Sequence, residues 1–99
     1  MDCQVDGISD SPQKLNCYVQ NKLHVKKVQL TCKNLEYELR WNHHVFPVLL
    51  AYHEEVESGS APLVFLTNRF KLIIISHRFY SRAYIESDEQ NYFGLCFNR

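Results

Sequence analysis

Hydrophobic and polar residues alternate along most of this chain, and the alternation says most between Phe70 and Ile85, FKLIIISHRFYSRAYI. Strand side chains point to opposite faces in turn, so the run Leu72-Ile73-Ile74-Ile75 needs cover on both sides. Farther on, Arg78, Tyr80, Arg82 and Tyr84 share one side while Phe79, Ser81, Ala83 and Ile85 share the other. The first half predicts a central, fully covered strand. The second predicts a strand with one face on view, either continuing the first after a bend or starting afresh at His77.

From the N-terminus, residues 1–13 lack periodicity and carry Gly7, Ser9, Asp10, Ser11 and Pro12, which predicts a flexible tail. Leu15, Cys17 and Val19 then alternate with polar residues as a short strand, and Asn21-Lys22 reads as a turn. Leu23 and Val25 continue the alternation, but Val28, Leu30 and Cys32 are out of phase with them, so a β-bulge is expected at Lys26-Lys27. After a tight turn at Lys33-Asn34, Leu35, Tyr37, Leu39 and Trp41 alternate with Glu36, Glu38 and Arg40 as a half-buried strand anchored by Trp41.

The period then changes. Pro47 suits the first turn of a helix, and Val48, Leu49, Tyr52, His53 and Val56 recur at about 3.6-residue spacing up to the stop signal Gly59. The spacing predicts a helix over 46–57. Against it, Glu54, Glu55 and Glu57 oppose the helix dipole, and an edge strand interrupted by Pro47 is the alternative. Ser58 to Pro62 reads as a loop and Leu63 to Leu66 as a strand, with Thr67-Asn68-Arg69 as a turn or bulge. Tyr92 to Phe97 closes the chain as a strand with Phe93, Leu95 and Phe97 inward and Cys96 on the opposite face.

These elements predict an α+β, mainly antiparallel β domain: a small sheet or partly open barrel of five to seven strands with one helix. Residues 1–13 form its tail and 14–99 its single globule. The order of three strands, a helix, then two or three strands is shared with the five-stranded oligonucleotide- and oligosaccharide-binding barrel. That likeness is one of element order alone.

Composition narrows the picture. With 45% apolar and 13% aromatic residues the chain suits a folded domain, and its apolar runs fall far short of the ~18 residues of a membrane span. Its acidic, polar N-terminus resembles neither a secretory signal nor a basic transit peptide, so an intracellular location in cytoplasm or nucleus is expected. Cys17, Cys32 and Cys96 fall within apolar alternations, which suits reduced, buried thiols, with Cys3 exposed in the tail; a disulfide or metal role is the alternative. Net charge is zero but segregated: Lys14, Lys22, Lys26, Lys27 and Lys33 lie in a stretch without acids, as do Arg69, Lys71, Arg78 and Arg82.

Chemistry is sparse. His24, His43, His44, His53 and His77 share no metal-ligand spacing with each other or with a cysteine, so no metal and no cofactor is expected. A histidine pair such as His44 and His77 has the chemistry for acid-base catalysis, yet nothing in the sequence brings the two together, and no enzyme is expected. The face formed by Arg78, Tyr80, Arg82 and Tyr84, extended by Lys26 and Lys27, is the candidate binding surface. Tyrosine and arginine are favoured anchors of protein interfaces, and they also stack bases and hold phosphates. The plainer reading is a soluble strand face whose arginines stack on its tyrosines. The expected role is a non-enzymatic protein-interaction subunit or adaptor of viral or host-defence type. A protein partner or self-association is expected, with no membrane partner. A single-stranded nucleic-acid binder is the alternative.

Overall fold

The computed structural model describes residues 3–8, 11–57, 59 and 61–97. Within them the alternation resolves into nine strands: β1 (Lys14–Gln20), β2 (Val25–Lys33), β3 (Glu36–Trp41), β4 (His44–Pro47), β5 (Leu50–His53), β6 (Leu63–Leu66), β7 (Phe70–Ser76), β8 (Ser81–Ser87) and β9 (Asn91–Phe97). They form one antiparallel sheet in the order β4-β3-β2-β1-β9-β8-β7-β6-β5, curled into a half-barrel. Met1, Asp2, Ser9 and Asp10 of the expected tail, and Ser58 and Ser60 of the expected loop, lie outside the described residues, as do Asn98 and Arg99.

Local chemistry sets the hairpins. Asn34-Leu35 and Asn42-His43 all have positive φ, between 51° and 67°, the two-residue conformation whose twist matches that of the flanking strands. Leu35 is thereby drawn into a turn and exposed, so the face expected to begin with it begins at Tyr37 instead. At the β1–β2 turn, Asn21 Oδ1 accepts the N–H groups of Leu23 and His24 at 2.9 and 2.8 Å. This turn absorbs the change of phase. Lys26, Val28, Leu30 and Cys32 share one face in an unbroken register with β1, so the expected bulge at Lys26-Lys27 is absent, and Leu23 and Val25 are exposed.

The expected helix over 46–57 is also absent, and with it the α+β class, the limit of seven strands and the oligonucleotide-barrel element order. That stretch forms β4 and β5, the two edges of the sheet. The Val48 N–H donates to the Tyr37 carbonyl at 3.0 Å, extending the pairing with β3, and the Leu49 N–H donates to the Leu66 carbonyl at 2.7 Å, opening the pairing with β6. One edge therefore becomes the other within two residues. Val48 and Ala51 both pack on the core across this junction, and their three-residue separation imitates helical spacing. Pro47, which has no N–H to give, sits at the end of an edge strand, where its loss is tolerated.

The core lies on the inner face. Leu30, Leu39, Phe65, Leu72, Ile74 and Ile85 are fully buried there, and Tyr37 meets Phe65 edge-on at 5.1 Å where the curl brings β3 and β6 face to face. Trp41 is half-buried against Tyr92 and Phe70, with ring centroids 5.0 and 5.9 Å away. Ile73 and Ile75, expected to be covered, point outward and are only half-buried. The radius of gyration, 12.7 Å, matches the ~13 Å of a compact chain of this length.

The cysteines are paired, not reduced: Cys3 with Cys32 and Cys17 with Cys96. Cys17 and Cys96 stand opposite each other on the inner faces of β1 and β9. Two residues 79 apart in sequence become cross-strand neighbours because the last strand returns to the first. Side chains alternate with period two, so fixing Cys96 inward turns Phe93, Leu95 and Phe97 outward, the reverse of the orientation expected from their hydrophobicity. In the N-terminal stretch, Cys3 and Val5 are buried in the core, and Val5 bridges to Ile8. Tyr37 donates its hydroxyl to the Pro12 carbonyl at 2.9 Å.

At Gly94 the last strand approaches the β1 backbone closely. This glycine lies between Val19 and Ala83, and a Cβ built on it would stand 1.8 Å from the Tyr18 carbonyl oxygen and 2.7 Å from the Val19 Cα. Backbone cannot yield as a side-chain tip can, so Gly94→Ala should cost more than about 3 kcal/mol. A denaturation midpoint equal to wild type for this variant would show that β1 and β9 are not in contact.

Burial raises the Tyr37 phenol above the ordinary tyrosine value of 10.0, while a hydrogen bond with Ser11 pulls the other way. The native state then holds this proton more tightly than the unfolded chain. The stabilisation is complete below the ordinary value and is lost as pH rises toward and through the raised one. Denaturant titrations between about pH 8 and 11 should show wild type losing stability faster than Tyr37→Phe above the ordinary tyrosine pKa. Parallel curves would contradict a buried phenol.

Candidate functional site

The outer face of the central strands departs from the usual pattern. An antiparallel sheet with one wet side normally turns polar residues toward water, yet β9 presents Phe93, Leu95 and Phe97, which are 56%, 41% and 49% exposed. They do not stand alone. Strand register lines up Lys27, Tyr18, Leu95, Arg82 and Ile75 in one row across β2, β1, β9, β8 and β7. The next row is Val25, Gln20, Phe93, Tyr84 and Ile73. Tyr18 and Phe97 approach with ring centroids 6.3 Å apart, and the Lys27 ammonium sits 5.9 Å from the Tyr18 ring.

The charge on this face is one-sided. Lys27 and Arg82 flank the apolar centre, and neither row contains an acid. The neighbouring carboxylate Glu86 lies toward one end of the strands and faces Lys71 at 3.9 Å. Hydrogen bonding with Tyr84 and Tyr80 raises the Arg82 pKa further above the ordinary arginine value, so this exposed cation keeps its charge beside two tyrosines.

The candidate surface read from the sequence is divided by the fold. Arg82 and Tyr84 lie on the outer face of β8, and Tyr80 reaches Arg82 from the turn that precedes the strand. Arg78 does not join them: its guanidinium lies 5.2 Å from the Phe79 ring at the tip of the β7–β8 hairpin. Lys27 joins the outer row, whereas Lys26 has the phase of the inner face and pairs with Val19. Sequence reasoning missed Tyr18, Phe93, Leu95 and Phe97 as surface residues. Pairing Cys17 with Cys96 is the signal that would have found them.

At one end of the half-barrel is a cavity of about 620 Å³, lined in part by His53, His77, Arg78 and Tyr80. His77 stacks on Tyr80 with centroids 5.0 Å apart, and the His77 N–H donates to the Tyr80 carbonyl at 2.8 Å, closing the hairpin turn. His44 and His77, the pair considered for acid-base chemistry, line different cavities. His53 is the histidine that shares a cavity with His77. Among the described residues no three His, Cys, Asp or Glu side chains converge as a metal site would require.

No protein-family model, no characterised protein and no solved structure matches this chain.

Proposed function

We propose that this domain is a non-enzymatic protein-interaction module that binds a partner through the outer face of β1, β9 and β8. The exposed triplet Phe93, Leu95 and Phe97, at the centre of the sheet where polar residues are the norm, carries this reading. Aromatic and arginine side chains in a desolvated centre are what give protein interfaces most of their affinity, and here Tyr18 and Arg82 flank Leu95 on either side, with Phe93 two residues along the same strand. A central strand has no free edge, so the partner is met by side chains and not by strand addition.

The charge pattern selects the kind of partner. A second copy docked face to face by a two-fold axis would bring Lys27 and Arg82 toward their own equivalents, and like charges in contact are unfavourable. An apolar patch rimmed by acids on a different protein fits better. The two disulfides support an oxidising compartment as the working place, in preference to the intracellular location expected from the sequence.

Affinity capture with wild type, with Phe93→Ser/Leu95→Ser and with Arg82→Glu tests this reading. All three should melt within a few degrees of each other, because exposed substitutions usually cost within ~0.5 kcal/mol. A partner enriched by wild type should be lost with the serine pair and weakened at least tenfold by the charge reversal. A single-stranded oligonucleotide that binds wild type with a steep salt slope, made shallower by Arg82→Glu, would replace the protein reading with the nucleic-acid one. A sedimenting dimer that the serine pair dissociates would assign the face to self-association.

A further inference from the structure

We propose that the 620 Å³ cavity at the β7–β8 end of the half-barrel binds a small amphiphilic monoanion, an aliphatic carboxylate whose tail enters the cavity while its head stays at the rim. The site meets the outer face at Phe97 and Tyr80 but uses neither Phe93, Leu95 nor Arg82. Its lining is graded. Leu15 and Ile74 are buried, Leu63 is half-buried, and the buried Ser11 hydroxyl is already given to the Ile8 carbonyl, so the floor is mainly apolar, whereas His77, Arg78 and Tyr80 are exposed and form the rim. Such grading suits a ligand with one apolar and one polar end. The volume lies within the 300–1,000 Å³ range of pockets that hold small ligands.

The rim specifies the sign of the head group. His53, His77 and Arg78 contribute nitrogen donors, and Ser76, Ser81 and Tyr80 contribute hydroxyls. No carboxylate is among the described lining residues, so a cation would find no counter-charge while an anion finds several donors. The Arg78 guanidinium lies 5.2 Å from the Phe79 ring, a cation–π contact that leaves its N–H groups available to a carboxylate. Phe79 itself is 85% exposed beside the opening. Inorganic phosphate satisfies the rim and ignores the floor; a neutral alcohol does the opposite.

Titration of the isotopically labelled full-length chain with octanoate, octanol and inorganic phosphate, followed by amide chemical shifts, tests the assignment. Octanoate should give saturable shifts at His53, Ser76, His77 and Ser81, and octanol and phosphate should each bind at least tenfold more weakly. Arg78→Glu should weaken octanoate at least tenfold with the remaining spectrum unchanged. Arg78→Gln, which only neutralises the cation, should weaken it in the same direction and serves where the reversal disturbs the hairpin. The proposal is overturned by shifts confined to Phe93 and Leu95 on the outer face, by octanol binding as well as octanoate, by no saturable shift, or by wild-type affinity in both Arg78 variants.

Discussion

The covalent pairing of Cys17 with Cys96 is the constraint on which the rest of this molecule depends. It joins the first strand to the last across a separation of 79 residues, and closing so long a loop removes roughly 4–5 kcal/mol of chain entropy from the unfolded state. More consequential is what it does to register. Cys96 is held in the core, Gly94 meets the β1 backbone where no other residue fits, and Phe93, Leu95 and Phe97 have only the outer face left to occupy. The same bond that secures the fold creates its exposed apolar patch.

Its counterpart lies on the far side of the sheet. β4 and β5 are the two edges, and edges offer unpaired backbone groups to other chains. Here they are consecutive stretches of one segment, and Val48 and Leu49 direct their N–H groups to opposite neighbours, β3 and β6. A single segment thus bridges the gap that the curl leaves. The second disulfide, Cys3 to Cys32, adds the N-terminal residues Cys3 and Val5 to the core. A chain of 99 residues with two such staples gains order that its modest core alone would supply less securely.

Much of the strand content was legible because alternation is a local property. The runs from Leu15 to Val19, Tyr37 to Trp41 and Phe70 to Ile75 all lie within strands, and Asn34 was a sound turn signal. What failed were inferences that needed distant partners. The kink between β4 and β5 produced a three-residue interval that looked helical, and only pairing with Tyr37 and Leu66 reveals two strands. Cys17, Cys32 and Cys96 in apolar phases look the same whether free or bonded, since both forms are buried. Hydrophobicity alone turns Phe93, Leu95 and Phe97 inward, but the pairing of Cys96 with Cys17 takes the inward phase of β9 and leaves them outside. The candidate site was half legible: Arg82, Tyr84 and Tyr80 do come together, while Arg78 and Lys26 belong elsewhere.

Disulfide mapping of the unreduced protein by peptide mass spectrometry reads this pairing directly. One linked peptide pair should carry Cys17 and Cys96 and a second Cys3 and Cys32, with no thiol available for alkylation before reduction. Linkage of Cys17 to Cys32 or of Cys3 to Cys96, or four free thiols in protein recovered from its native compartment, would release β9 from its register and contradict the outward placement of Phe93, Leu95 and Phe97.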